Sequence, residues 1–164
     1  MIIIVQIILK YSVSGEKALS KKVVFICLCS ALAGVVMSFI FSFDSRRKKY
    51  AEFDGEKYSV SAKNIDELRK IADNFGISVS FPEKVRNIKI PMEFNEVYED
   101  YNRLQYDIGM DLEEYRGEEC ILYTFAIDEE KVLNTISWNG QFIGGDISDR
   151  DFLGKIISLS SKFA

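Results

Sequence analysis

The chain of 164 residues contains no histidine. Histidine-activated serine or cysteine nucleophiles, histidine general bases and histidine-bearing zinc sites are therefore excluded within one chain. Cysteine is nearly as scarce: Cys27 and Cys29 lie in an apolar run, and Cys120 stands alone far along the sequence. No disulfide can form within the part that follows the run, and Cys120, with no basic neighbour in sequence, reads as a small buried hydrophobe rather than a nucleophile. Glycine-rich phosphate loops and dinucleotide-binding fingerprints are also missing. These absences leave no catalytic residue to assign, and neither cofactor nor metal is expected.

Charge is missing from one long stretch. Val23 to Phe43, VVFICLCSALAGVVMSFIFSF, holds no charged residue over twenty-one positions, and about 20 apolar residues suffice to cross ~30 Å of hydrocarbon. Residues 23–43 are expected to form a single transmembrane helix, with lipid as one partner. Ala31-Leu32-Ala33 resembles a signal-peptidase site, but apolar residues continue well past the 7–15 of a signal core. Lysines and arginines bracket both ends, which also disfavours a buried core helix.

The two sides of that run differ in charge. Residues 1–49 carry eight Lys/Arg and two acids, a net of +6, whereas residues 50–164 carry thirteen and twenty-three, a net of −10. The expected organisation is a basic tail (1–22), the span (23–43), a basic juxtamembrane linker (44–56) and a domain (57–164). Lys10, Lys17, Lys21 and Lys22 nearly balance Arg46, Arg47, Lys48 and Lys49, so positive-inside counting leans only slightly toward a cytoplasmic domain. A domain of net −10 has no nucleic-acid footprint and suits a basic or neutral protein partner.

The domain alternates between helix and strand signals, so its fold class is α+β with a mainly antiparallel sheet and two or three packed helices. Asn64 with Glu67 has capping-box spacing, Ile65, Leu68, Ile71, Ala72 and Phe75 form one stripe, and Gly76 ends it. Ile77 to Ile90 alternates as a strand broken at Pro82. Phe94, Val97, Tyr101, Leu104 and Ile108 line one face of a second helix closed by Gly109. Asp111 opens a short turn, and Cys120 to Ile127, apolar on both faces, suits a central strand. Asn139-Gly140 demands a two-residue hairpin turn, which sets Trp138 opposite Gln141, Ile136 opposite Ile143 and Asn134 opposite Gly145 unless a bulge intervenes. Phe152, Ile156, Leu159 and Phe163 have the spacing of a last helix.

Gly144 and Gly145 sit inside the second hairpin strand, where glycine weakens a strand unless something needs the space. Close approach of the Tyr98 and Tyr101 side of the long helix would explain them. A flat docking patch would too, and on that reading Trp138, Gly144, Gly145, Asp146, Tyr98 and Tyr101 are the candidate partner-binding residues. Acids at Glu93, Glu96, Glu99, Asp100, Asp111, Glu113, Glu114, Glu118 and Glu119 read as a solvated face with helix-dipole partners, although a carboxylate pair could also serve hydrolysis. Asp146, Asp149 and Asp151 lack the order of a known calcium loop.

The succession IPMEFNEVYEDYNRLQYDIGMDLEEYRG (Ile90–Gly117), an aromatic strand at Tyr123 to Phe125, and then NGQFIGGDI resembles an uncharacterised domain-of-unknown-function family of Gram-positive bacteria, number forty-eight thirty. The matching positions are Ile90, Pro91, Glu93, Phe94, Glu96, Val97, Tyr98, Tyr101, Asn102, Leu104 and Gln105, then Gly109, Asp111, Leu112, Tyr115 and Gly117, and last Gly140, Ile143, Gly144, Gly145, Asp146 and Ile147. The resemblance implies one N-terminal span and a domain outside the cytoplasmic membrane. It carries no catalytic residues. The expected function is a membrane-anchored, single-pass, extracytoplasmic binding or regulatory module acting on an unknown protein of the cell envelope; the alternative is a carboxylate-based envelope hydrolase.

Overall fold

The computed structural model describes residues 29–38, 47–151 and 154–161. The chain divides into two compact units, Met1–Ser45 and Arg46–Ala164. In the first, residues 29–38 are helical and the rest of the expected span lies outside the described residues. No helix among the described residues is long and apolar enough to cross a membrane.

The second unit is α+β, as its sequence pattern requires. Strands β1 (Tyr50–Phe53) and β2 (Glu56–Ser59) form a two-stranded sheet. Helix α1 (Ile65–Asn74) follows, then β3 (Pro82–Lys89), helix α2 (Glu96–Tyr106) and a 3₁₀ turn at Leu112–Tyr115. β4 (Glu119–Ala126), β5 (Lys131–Trp138), β6 (Gln141–Asp149) and β7 (Ile156–Ser158) complete a five-stranded sheet ordered β3-β4-β5-β6-β7, every pair antiparallel. β1 falls inside residues 44–56, so folded structure begins within the stretch expected as linker.

Local chemistry sets the element ends. The Asn64 side chain accepts the Glu67 N–H at 2.9 Å, and the Glu67 carboxylate accepts the Lys63 N–H at 2.7 Å. Asn95 and Asp111 cap α2 and the 3₁₀ turn in the same way. Asn139 and Gly140 take φ of 48° and 74°, the positive pair that a tight hairpin turn needs.

Several expectations are corrected. Ile77–Ser80 joins no ladder, and the strand starts at Pro82, on an edge where the missing N–H is tolerated. β4 is second from that edge and β5 is central, which leaves part of β4 half exposed. Ile156–Ser158 is a strand, because Asp146, Ile147 and Ser148 of β6 present an open edge that pairs with Ser158, Ile157 and Ile156. Phe152 and Phe163 of the expected helix lie outside the described residues.

The hairpin register also differs. Trp138 faces Gln141 as expected, but Ile136 pairs with Gly144 and Asn134 with Asp146. Ile143 is the extra residue of a bulge, and every later side chain of β6 changes face. Ile147 therefore leaves the Ile136–Trp138 face and joins Phe142, while Gly144 moves the other way.

Two buried clusters result, one on each face of the sheet. Leu68, Ile71 and Ala72 of α1 pack with Val60, Ile108, Phe125, Leu133, Phe142 and Ile147 on one face. Ile90, Leu112, Tyr115, Cys120, Ile136, Trp138 and Ile143 pack on the other. α2 stands against the β6 and β7 side of this second face.

Candidate functional site

α2 leans over the sheet without closing onto β3 and β4, and an open cleft of about 630 Å³ remains between them. Val97, Tyr98, Asp100, Tyr101 and Leu104 form its helix wall. Arg86, Ile88, Leu122, Asn134, Ile136 and Asp146 line the sheet side, with Ile156 beside them. Val97 is 74% exposed and Ile156 50%, so the mouth presents apolar surface to solvent.

The cleft exists because α2 turns a polar edge toward the protein. Its buried residues are Asn102 and Gln105, not the apolar stripe through Val97 and Leu104. Each amide has a structural task. The Gln105 carbonyl oxygen accepts the Gly145 N–H at 2.8 Å, and Asn102 accepts the Leu112 N–H at 2.8 Å while donating to Asp111 and the Tyr106 hydroxyl. Unpaired buried groups of this kind would cost roughly 1–3 kcal/mol each.

These contacts account for the paired glycines. A Cβ on Gly144 would stand 2.8 Å from the Gln105 side-chain oxygen and 3.3 Å from Leu112. A Cβ on Gly145 would stand 2.6 Å from the Asn134 backbone oxygen. The helix lies close over the strand, as close approach requires, but the residue that touches is Gln105 and not a tyrosine. Gln105 is one of the positions that carry the family resemblance, but helical periodicity gave no reason to bury it, since a glutamine in a helix ordinarily faces water.

Asp146 anchors the polar floor of the cleft. It is 4% exposed, and its carboxylate accepts the Tyr101 hydroxyl at 2.8 Å and the Asn134 amide at 3.0 Å. Asn134 also donates to Ser148 and accepts the Thr124 hydroxyl. Burial raises the Asp146 carboxyl above the usual carboxylate range, and the bonds from Asn134, Tyr101 and Ser148 oppose that rise. Burial, with Asp146 beside it, likewise pushes the Tyr101 hydroxyl well up.

Of the six candidate residues, Tyr98, Tyr101 and Asp146 share the cleft. Gly144 and Gly145 lie buried beneath Gln105. Trp138 is 2% exposed and elsewhere, its ring edge-on to Tyr115 at 5.3 Å and its indole N–H donated to Glu118.

Cys120, Asp100 and Asp149 are each held in local contacts among the described residues. Burial pushes the Cys120 thiol up to about 11, with Glu118 adding to it, so the thiol stays protonated and a weak nucleophile. Asp100 pairs with Arg103. Asp149 accepts the Lys155 N–H, and no group of three or more acids and cysteines that could hold a metal ion occurs among the described residues.

Residues 71–147 match the model of a family described as a domain of unknown function (DUF4830), which bears out the resemblance to a family of that kind. No curated protein and no solved structure matches the chain.

Proposed function

With residues 71–147 in a family whose activity is not established, we propose that this protein is a membrane-anchored, extracytoplasmic binding module that engages an envelope protein through the cleft between α2 and the sheet. The cleft carries the reading: apolar side chains stand exposed at its mouth, while the polar groups of its floor are already bonded to one another. Such a surface offers area for contact and no free acid–base pair. Anchorage is supported by the uncharged stretch 23–43 and by the exposure of Leu32, Val35, Val36 and Met37 in the helical residues 29–38. The outward orientation comes from the family resemblance and outweighs near-balanced flanking charges.

Two measurements test this. Protease shaving of intact cells should remove a C-terminal tag without lysis; a tag protected until lysis would place the domain inside. A photocrosslinker at Val97, in the same cells, should trap an adduct absent when it is placed at Glu129 on the β4–β5 turn. Equal labelling from both positions would remove the cleft as the contact surface.

A hydrolase is the second reading, because Asp100 and Asp146 line the same cleft. Both carboxylates are engaged, Asp100 by Arg103 and Asp146 by Tyr101 and Asn134, which favours binding over catalysis. Turnover of envelope glycan or peptide that is lost in Asp146→Asn, with folding retained, would reverse that preference.

A further inference from the structure

β3 forms one edge of the five-stranded sheet and pairs only with β4 among the described residues. Its eight residues, about 26 Å of strand, show no backbone hydrogen bond on the outer side among the described residues. Such an edge is a template for another strand.

Its side chains give the two faces different chemistry. Lys84, Arg86 and Ile88 pair with Thr124, Leu122 and Cys120 and so share the cleft face. Val85 pairs with Tyr123 on the opposite face, where Val85 is 54% exposed and Ile121 37%. Lys84, Arg86 and Lys89 form no ion pair among the described residues. The one acid of the strand, Glu83, is held by the Arg150 guanidinium at 2.9 and 3.1 Å. A strand with three unpaired cations thus borders a domain of net −10.

We propose that the β3 edge binds an extended segment of a partner protein in which acidic and apolar residues alternate. The segment adds as a sixth strand. Its acids stand beside Lys84 and Arg86 and its apolar residues beside Val85, at the ~4.5–5.5 Å of cross-strand neighbours, with Ile121 one strand further in on the same side. A second copy of this chain is a poor occupant, because β3 laid against β3 would set like charges side by side. The net negative charge of the rest of the domain is screened beyond ~8 Å at physiological salt, so the local cations decide. This deepens the protein-contact reading, but depends neither on anchorage nor on the Val97 wall.

The test uses the purified full chain in neutral detergent and a blocked, fluorescent octapeptide, (Glu-Val)4, matched to the length of β3. Saturable binding by anisotropy is expected. Replacing the peptide by (Lys-Val)4, methylating its alternate backbone nitrogens, or introducing Lys84→Glu with Arg86→Glu should each weaken binding roughly tenfold or more. Both substituted side chains are exposed, and circular dichroism checks that the variant is folded. No saturable binding, or equal binding of (Lys-Val)4, would overturn the proposal. Binding retained by the methylated peptide would reduce it to a charge contact without strand addition, which also overturns it. So would a concentration-dependent dimer of the chain that the peptide disrupts, since a second copy would then own the edge. A failed peptide experiment leaves the shaving and Val97 crosslinking results untouched, so the two readings fail separately.

Discussion

Gly144 is where a single missing side chain decides the packing of a helix. The space above it is filled by Gln105, which is fully buried and holds the Gly145 N–H. Gly144→Val should therefore push the Gln105 amide aside, overpack the site and break that bond, at a cost of ~3 kcal/mol. Chemical denaturation measures it; a variant within about 0.5 kcal/mol of the parent would show that the glycine serves something other than packing. The sequence flagged the two glycines as anomalous. Gln105, forty positions earlier, stood among the positions of the family resemblance, but its contact with the glycines could not be read there, because its burial depends on where α2 docks.

At the level of elements, α2 is held to the sheet by polar contacts where apolar ones were expected. Tyr101 bonds Asp146 of β6, Gln105 bonds Gly145, and the Ser158 hydroxyl of β7 donates to the Leu104 carbonyl at 3.0 Å. The stripe through Val97, Tyr101, Leu104 and Ile108 gave the right helix and the wrong buried face, since only Ile108 of these is buried. Tyr101→Phe removes a donor to a buried carboxylate. We expect a loss of about 2 kcal/mol at neutral pH and a further rise of the Asp146 pKa, because the lost bond is one of those that lower it. Carboxyl NMR titration reads this directly, and an Asp146 that titrates lower in the variant would sink the assignment. The same scale explains the β6 register: hairpin chemistry at Asn139-Gly140 set the turn, but the bulge at Ile143 reversed the faces beyond it.

For the whole molecule, pH should act in two opposed stages. The Asp146 pKa is raised by burial, so between the ordinary carboxylate value and its own the unfolded chain is ionised while the folded chain keeps its proton. Stability then falls as pH rises through that window, and recovers on mild acidification. Glu67, Glu83 and Asp128 have lowered values, caused first by the Lys63 N–H, the Arg150 guanidinium and the Glu130 N–H respectively. Their contribution is present above the ordinary carboxylate value and is lost as pH falls through the lowered ones. The melting temperature should accordingly rise from neutral into mild acid and drop below it. Asp146→Asn should abolish the rise, and a parent whose melting temperature falls steadily from neutral pH would refute this balance.

What the sequence determined by itself was local. Asn64 with Glu67 and Asp111 as caps, the positive-φ turn at Asn139-Gly140, and the glycine after α1 act through bonds and torsions within a few residues, so their chemistry is readable wherever the chain goes. The tertiary structure alone decided the burial of Asn102 and Gln105, the bulge at Ile143, and the pairing of Ile156–Ser158 as a strand. It also placed Tyr98, Tyr101 and Asp146 around one cleft and left β3 as an open, cationic edge. Each of these depends on partners in other elements of the fold, whose unpaired N–H groups or apolar surface outweigh the weak preferences of the local sequence.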